Sequence, residues 1–365
     1  MIKENVLLAP YTTLQIGGPA RYFAEAQSEK QLLEALAFSE MSQLPVFILG
    51  GGSNVLIADE GFPGLVLRVA IRGIEWSEQG ERVLVTSGAG EDWDEFVHSC
   101  VDRGLAGVEC LSGIPGLVGG TPVQNVGAYG QEVSETITSV RVYDRLTQRI
   151  DELSNADCRF SYRASIFNTV NRDRYIVLGV TFVLKPHGEP AIRYPDVKDF
   201  FADMSTKPAL KEVREAVRTI RERKAMLLVP GDADCRSAGS FFKNLIVTRE
   251  IYEQVIETAK GQGLIRSQER VPGFTTEDGK MKVPAAWLIE RAGFHRGYHR
   301  GRVGISSKHT LAIINRGGAR AREVLELVEE IQDRVLITFA VHLHPEPVFV
   351  GFENEDEERI RNKRK

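Results

Sequence analysis

Cysteine and histidine are scarce in this sequence of 365 residues, which contains four of the first and seven of the second. The cysteines are far apart and form no Cys-x-x-Cys pair, so neither a zinc knuckle nor a dithiol redox site is indicated. The histidines show neither His-x-x-x-His nor His-Glu-x-x-His spacing. His342 and His344 would share one face of a predicted strand, but two candidate ligands without a third do not make a metal site. We therefore predict no bound metal.

A strong excess of one charge and long apolar runs are also lacking. The formal net charge is -4, which does not indicate general binding to nucleic acid. No apolar run approaches the length that spans a bilayer, and the start of the chain lacks the basic and then apolar order of a signal peptide. We expect a cytoplasmic protein that binds neither nucleic acid nor membrane. Its length is enough for two or three domains.

Hydrophobic spacing predicts a mixture of helices and strands. Ser28 and Gln31 have the spacing of a capping box at the start of a helix. Further helices are predicted over Trp93–Val101, Val213–Ile220 and Val324–Val335. Strands are predicted at Val46–Leu49, Val55–Ile57, Val83–Val85, Ser139–Tyr143, Tyr175–Val180 and Leu336–Val341.

Glycine is concentrated in two clusters. Gly50–Asn54 follows a predicted strand, where backbone amides can hold phosphate oxygens, although a tight turn explains this cluster equally well. It is not a dinucleotide-binding fingerprint, because Val55 stands where the third glycine would be. The second cluster, Gly113–Gly130, has so little side-chain bulk that a large flat ligand and its pyrophosphate could lie on the backbone. We favour ligand binding for the second cluster.

One serine stands in unusually apolar surroundings. Ser240 lies between a glycine and the pair Phe241 and Phe242. An edge strand that buries two phenylalanines explains the stretch without any function, and by itself this interpretation is favoured. A serine in a dry, aromatic-walled site would instead suit an enzyme that protonates carbon.

Charged residues provide three further candidates, each with a simpler explanation. Arg163 is either an ordinary surface residue or a guanidinium that stabilises an enolate. Glu346, which lies between two prolines, is either part of a strand end or a rigidly held site carboxylate. The basic residues Arg214, Arg218 and Arg221 share one face of a predicted helix, and Lys224 extends it. Such a face is usually solvated, unless its end borders a phosphate site.

In their order along the chain, these motifs resemble those of the UDP-N-acetylenolpyruvoylglucosamine reductases, flavoenzymes of peptidoglycan precursor synthesis. The resemblance extends from about Thr12 to Gly351. Each motif alone is weak, whereas the ordered set is specific. The motifs are Gly50-Gly51-Gly52-Ser53-Asn54, Ile114-Pro115-Gly116, Gln124–Gly130, Tyr162-Arg163-Ala164-Ser165, Gly239-Ser240-Phe241-Phe242-Lys243-Asn244 and Pro345-Glu346.

The resemblance implies an α+β fold with a two-part FAD-binding region of the vanillyl-alcohol-oxidase type and a separate α+β substrate domain. It places the first FAD-binding subdomain at residues 1–72, joined by 345–365, and the second at 73–225. The substrate domain would cover residues 226–344. We expect a monomer.

The resemblance also implies the chemistry. Such enzymes take a hydride from NADPH onto FAD and pass it to the enolpyruvyl ether of a nucleotide sugar, which gives UDP-N-acetylmuramate. Arg163 and Glu346 match the residues that stabilise the enolic intermediate, and Ser240 matches the proton donor to carbon. The expected FAD contacts are Gly50, Gly51, Gly52, Ser53, Asn54, Ile114, Pro115, Gly116, Gly120, Thr121, Asn125, Gly127 and Tyr129.

Four residues match the substrate contacts of the family. Tyr194 resembles the tyrosine that closes over the substrate in one branch, while Arg221, Lys224 and Asn244 match polar contacts to the nucleotide sugar. Two other functions remain open. One is an FAD oxidoreductase of the same fold that acts on an alcohol or a sugar, and the other is a relative that binds a nucleotide sugar without turnover.

Overall fold

The computed structural model describes residues 2–266, 268–276 and 278–353. These residues form two compact units. The first contains the chain up to residue 6 and residues 20–52 and 63–223. The second contains residues 7–19 and 53–62 and the chain from residue 224 onward. The three-part division expected from the sequence remains a prediction, and residues 354–365 of its C-terminal return lie outside the described residues.

Helices and strands alternate irregularly along both units. The helices are α1 (Glu29–Met41), α2 (Trp93–Asp102), α3 (Asn155–Cys158), α4 (Pro195–Phe200), α5 (Leu210–Arg223), α6 (Arg249–Gly261), α7 (Ala285–Arg291) and α8 (Ala321–Phe339). The strands are β1 (Lys3–Leu7), β2 (Pro19–Ala26), β3 (Val46–Leu49), β4 (Val55–Ile57), β5 (Phe62–Val69), β6 (Ile74–Gln79), β7 (Arg82–Gly88), β8 (Leu105–Ala106), β9 (Gly127–Ala128), β10 (Gln131–Glu132), β11 (Ile137–Asp144), β12 (Arg149–Ser154), β13 (Tyr175–Pro186), β14 (Ser237–Ser240), β15 (Leu245–Val247), β16 (Phe274–Thr275), β17 (Met281–Val283), β18 (His299–Arg300), β19 (Val303–Ile305), β20 (Ala312–Asn315) and β21 (Val348–Val350).

The first unit is built on two main sheets. One has the strand order β1-β2-β5-β3, with β3 parallel to β5. The other has the order β12-β11-β13-β7-β6, and β8 also pairs with β13. Along β7, Val83, Val85 and Ser87 are buried while their neighbours are more exposed, which is the period of two expected for a strand. Helix α2 buries the face predicted from its spacing, including Trp93 and Phe96.

The second unit has smaller sheets. Strands β14-β20-β19-β18 form one and β15-β17-β16 another, while β21 runs parallel to β4. Helix α8 places Val324, Leu327 and Val328 in the core of this unit, as its hydrophobic spacing predicts. The same core contains Phe241 and Phe242, whose rings are essentially inaccessible to water.

One predicted element is wrong. Leu336–Val341 was expected to be a strand, but α8 continues through Phe339 and ends in a left-handed residue, Ala340 (φ 55°). His342 and His344 follow it outside any strand, so the expectation that they share one face of a strand is wrong too. A short run of β-branched and aromatic residues suits both a strand and a buried helix end, and here the helical hydrogen bonds prevail.

The predicted start of helix α1 is confirmed. The Ser28 side chain accepts a hydrogen bond from the Gln31 N–H at the start of α1. The cysteines are free and buried. In the described part of the chain, no helix is long and apolar enough to cross a membrane.

Candidate active site

Glycines of the two clusters meet within the first unit. A Cβ atom added to Gly51 would lie 2.6 Å from the Gly116 Cα, so the two backbones pass each other at a distance that only glycine permits. At Gly50 and Gly120, in contrast, an added Cβ would meet no protein atom within 4 Å. The clusters therefore contain two kinds of glycine. Some allow two backbones to pack closely, and others leave open space beside the backbone.

Hydrogen bonds hold the second cluster against the start of α2. The Trp93 N–H donates to the Gly116 carbonyl at 3.1 Å, and the Gly119 N–H donates to the Ala89 carbonyl at 2.9 Å. The Thr121 hydroxyl donates to the Val118 carbonyl at 2.8 Å. We call this loop, Gly113–Gly130, the glycine ledge, and backbone hydrogen bonds hold its shape.

Asn125 is buried in a left-handed conformation (φ 46°), and its side chain binds three parts of the first unit. The amide nitrogen donates to the Glu132 carboxylate at 2.7 Å and to the Ser161 carbonyl at 3.1 Å. The amide oxygen accepts from the Ser134 N–H at 3.1 Å. This residue therefore ties the glycine ledge to the turn that carries Arg163.

Arg163 occupies that turn in a left-handed conformation, with φ 55°. Its guanidinium donates to the Gly127 carbonyl at 2.7 Å and lies 5.4 Å from the centre of the Tyr162 ring. The Asn168 side chain donates to the Arg163 carbonyl at 3.1 Å. A non-glycine residue in this conformation is uncommon, and the surrounding hydrogen bonds hold it in place.

Tyr129 connects two residues that were expected to bind substrate. Its ring lies edge-on to that of Tyr194, with 5.6 Å between ring centres and an interplanar angle of 88°. Its hydroxyl is hydrogen-bonded to Arg221. Burial raises the pKa of Tyr129 to about 12, although the Arg221 charge opposes the rise. The structure thus brings Tyr129, Tyr194 and Arg221 together, with Tyr194 remaining 43% exposed.

The expectation that the basic face of α5 is exposed to solvent is wrong for two of its residues. Arg214 and Arg221 on α5 are only 7% and 8% exposed. Arg214 forms an ion pair with Asp94, and the Arg221 Nε donates to the Gly113 carbonyl at 3.0 Å. Lys224 directly follows α5 and is half-buried.

In the second unit, Ser240 and Glu346 lie on neighbouring segments of the polypeptide. The Glu346 N–H donates to the Phe241 carbonyl at 2.9 Å, and Phe242 pairs with Pro345 in an antiparallel bridge. Ser240, at the end of β14, is half-buried. Among the described residues, no hydrogen bond joins its side chain to another residue.

Glu346 is also held from its other side. The Asn54 side chain donates to the Glu346 carbonyl at 3.4 Å, and the Val348 N–H donates to the Asn54 carbonyl at 2.9 Å. Asn54 precedes β4, which pairs with β21. Asn244 is used differently, because its side-chain oxygen accepts from the Ala285 N–H at 3.1 Å at the start of α7.

Two acidic residues of the first unit were not predicted from the sequence. Glu109 is completely buried, and its carboxylate accepts hydrogen bonds from the N–H groups of Gly107 and Ala191 and from the Gln131 side chain. Asp94 accepts from the Gly113 N–H at 2.6 Å. Glu109 stands in an otherwise apolar stretch, a signal that could have identified it, whereas Asp94 looks like an ordinary acidic residue of a first helical turn.

The first unit also contains a cavity of about 410 Å³ beside the glycine ledge. Its lining includes Gly90 and Leu117 from the ledge side and the polar residues Glu25, Arg68 and Arg72. Within the described part of the chain, no group of three or more histidine, cysteine, aspartate or glutamate side chains could hold a metal ion.

Comparison with known proteins identifies the family. The profile of an FAD binding domain matches residues 20–148, and that of the UDP-N-acetylenolpyruvoylglucosamine reductase C-terminal domain matches residues 230–350. The UDP-N-acetylenolpyruvoylglucosamine reductase of Thermobifida fusca (strain YX) is 45% identical over 351 residues, which are 95% of this chain and 98% of that protein. The chain belongs to the UDP-N-acetylenolpyruvoylglucosamine reductase family.

Other members of the reductase family agree with this assignment. The reductase of Saccharopolyspora erythraea is 44% identical over 348 residues, 94% of each chain. The crystal structure of the reductase from Thermus caldophilus superimposes with a TM-score of 0.65 at 26% identity, covering 96% of this chain and all of that one. The expected fold class is confirmed: an FAD-binding region of the vanillyl-alcohol-oxidase type and a separate α+β C-terminal domain.

Proposed function

We propose that this chain reduces the enolpyruvyl ether of UDP-N-acetylglucosamine enolpyruvate to UDP-N-acetylmuramate, with FAD as cofactor and NADPH as hydride donor. The product is a precursor of cell-wall peptidoglycan. The assignment rests on the backbone pairing of Phe241 with Glu346, which holds Ser240 and Glu346 on adjacent segments of the polypeptide. This pairing occurs in a chain that belongs to the reductase family.

The glycine ledge fits FAD. Gly50 and Gly120 leave the backbone open to a ligand, and the ledge is rigid because its carbonyl and N–H groups are tied to the start of α2. Bound here, FAD would supply the hydride for the β-carbon of the enolpyruvyl group, with NADPH as the source of that hydride. The FAD phosphates are assigned to the two glycine clusters and to Thr121, Asn125 and Tyr129, which would bind them.

Hydride addition leaves negative charge on the α-carbon and the attached carboxylate of the substrate. Arg163 and Glu346 are assigned to the stabilisation of this charge, and Ser240 to the protonation of the α-carbon. Two observations support these roles. The Arg163 guanidinium is oriented by its bond to the Gly127 carbonyl, and the Glu346 backbone is fixed by hydrogen bonds at both its N–H and its carbonyl. A preorganised charge stabilises a developing enolate without rearrangement.

The nucleotide-sugar contacts are assigned to Tyr194, Arg221, Lys224 and Asn244. Arg221 is buried and already oriented by Gly113 and Tyr129, which suits a guanidinium that receives a diphosphate. Tyr194 packs its ring edge-on against Tyr129 but remains 43% exposed, so it can change position when substrate binds. The Asn244 side-chain oxygen caps α7, so its amide nitrogen is the atom assigned to substrate.

We further propose that the enzyme works as a monomer in the cytoplasm and that it has the three-part domain division given above. The small nucleotide-sugar substrate requires neither a membrane nor a nucleic-acid surface. Sedimentation of the purified protein tests the oligomeric state.

The test of the function is direct. The purified protein should show flavin absorbance, and its NADPH oxidation under anaerobic conditions should become catalytic only when the enolpyruvyl nucleotide sugar is added. Protein without flavin that fails to bind added FAD would overturn the assignment. NADPH oxidation that an alcohol or a simple sugar alters, and the nucleotide sugar does not, would point to another oxidoreductase of this fold.

A further inference from the structure

A single carboxylate organises the side of the glycine ledge that faces α5. Asp94, in the first turn of α2, accepts hydrogen bonds from two nitrogens of Arg214 at 2.6 and 3.1 Å. It also accepts from Arg218 and from the Gly113 N–H. Asp94 is therefore the meeting point of α2, α5 and the beginning of the ledge.

The peptide groups on both sides of Gly113 are held by opposite charges. The Asp94 carboxylate binds the Gly113 N–H at 2.6 Å, and the Arg221 Nε binds the Gly113 carbonyl at 3.0 Å. Gly113 has a φ of 72°, in the left-handed region that favours glycine. Charge-assisted hydrogen bonds to both groups hold this turn in one conformation.

The other end of the same short loop is held by the residue before Asp94. The Trp93 N–H donates to the Gly116 carbonyl, and Gly116 is the residue against which Gly51 packs. Residues 113–116 are therefore attached at both ends to the first two residues of α2. Displacement of Gly113 would move Gly116 and with it the contact between the two glycine clusters.

The charges around Asp94 explain why an anion is needed there. Arg214 and Arg221 are buried, and Arg218 is about one-third exposed. Burial alone would raise the pKa of Asp94, but the hydrogen bonds from Arg214 and Gly113 and the charges of Arg214 and Arg218 lower it below its ordinary value. The Asp94 carboxylate is therefore ionised at neutral pH and offsets the arginines that surround the loop.

We propose that Asp94 is a positioning residue for flavin binding: its carboxylate, acting with Arg221 on the two sides of Gly113, sets the shape of the 113–116 loop. The proposal rests on the proposed function, since it assigns the FAD phosphates to this ledge. It also links flavin affinity to Arg221, the residue assigned to the nucleotide sugar.

The experiment compares Asp94→Asn with Asp102→Asn. Asp102 lies on the same helix and pairs with Lys211 of α5 at 2.8 Å, so it joins the same two helices without contacting the glycine ledge. FAD is removed from each protein, and the affinity for added FAD is measured by the quenching of flavin fluorescence. The thermal unfolding of each apoprotein is measured in parallel.

We expect Asp94→Asn to lower FAD affinity by about tenfold or more, because a charge-assisted bond is lost. Asp102→Asn should keep the affinity of the wild type. Each apoprotein must remain folded at the titration temperature, so that a loss of FAD affinity is not caused by unfolding. Equal FAD affinities in both variants and the wild type would overturn this proposal alone, whereas a wild type that binds no FAD would overturn the proposed function.

A second variant covers the case in which Asp94→Asn does not fold. Arg218→Gln removes the more exposed arginine from the Asp94 carboxylate and leaves Gly113 and Arg221 in place. We expect a smaller decrease in FAD affinity, about threefold, with little change in apoprotein melting. Wild-type affinity in Arg218→Gln, together with an insoluble Asp94→Asn, would assign Asp94 to folding and reject the positioning role.

Discussion

The Glu346 N–H donates a hydrogen bond to the Phe241 carbonyl across 2.9 Å. Phe241 is completely buried, so this bond forms away from water, where leaving either group unpaired costs about 1 to 3 kcal/mol. The pairing fixes the register between the residue that follows Ser240 and the residue proposed to stabilise the enolate. The relative position of Ser240 and Glu346 is therefore set by a backbone hydrogen bond.

Replacement of Ser240 with alanine should separate the two half-reactions. Flavin reduction by NADPH should continue at nearly the rate of the wild type, because no proton from Ser240 is needed there. Reduction of the nucleotide sugar should slow by about a hundredfold or more, since the α-carbon lacks its proton donor. Rapid-mixing absorbance of the flavin measures both steps, and equal slowing of the two would assign Ser240 a structural role.

Replacement of Glu346 with glutamine keeps the size of the side chain and removes its acid function. We expect substrate reduction to slow by about a hundredfold, with flavin reduction and the melting temperature little changed. The matched control is Glu353→Gln, since Glu353 is exposed and follows β21 in the same unit. Comparable kinetics for Glu346→Gln and Glu353→Gln would remove Glu346 from the catalytic assignment.

The glycines of the ledge should respond differently to alanine. Gly51→Ala forces a Cβ into Gly116 and should destabilise the apoprotein by about 1 to 3 kcal/mol. Gly50→Ala and Gly120→Ala place a methyl group where no protein atom lies within 4 Å, so the apoprotein should keep its stability. Both should still bind FAD about tenfold more weakly if the ligand occupies that space. Apoprotein denaturation and FAD titration distinguish the two effects, and unchanged FAD affinity at both positions would move the ligand elsewhere.

Tyr129 should give the protein an alkaline stability limit. Its pKa is raised to about 12 in the folded state, compared with about 10 in an unfolded chain, so the protonated form stabilises the fold. This contribution is complete below about pH 10 and is lost as the pH rises through about 12, and it amounts to about 3 kcal/mol in total. Urea unfolding should therefore show that the stability advantage of the wild type over Tyr129→Phe shrinks across that interval. An advantage independent of pH would contradict the assignment.

Much of the local structure followed from the sequence. The helices over Trp93–Val101 and Val324–Val335 were predicted because their apolar residues recur with the helical period, and burial follows that period in the structure. Leu336–Val341 was assigned incorrectly because six residues cannot show whether a run continues a helix or starts a strand. The predicted roles of Arg163, Ser240 and Glu346 remain predictions until the variants are measured.

The sequence by itself determined the family, because motifs such as Gly239–Asn244 and Pro345-Glu346 depend on residue type and order, which need no coordinates. Only the tertiary structure decided which charges are buried. Arg214 looked like part of a solvated face until Asp94, 120 residues earlier, was placed against it. Burial of a charge depends on a partner brought close by the fold, and sequence spacing along one helix carries no information about that partner.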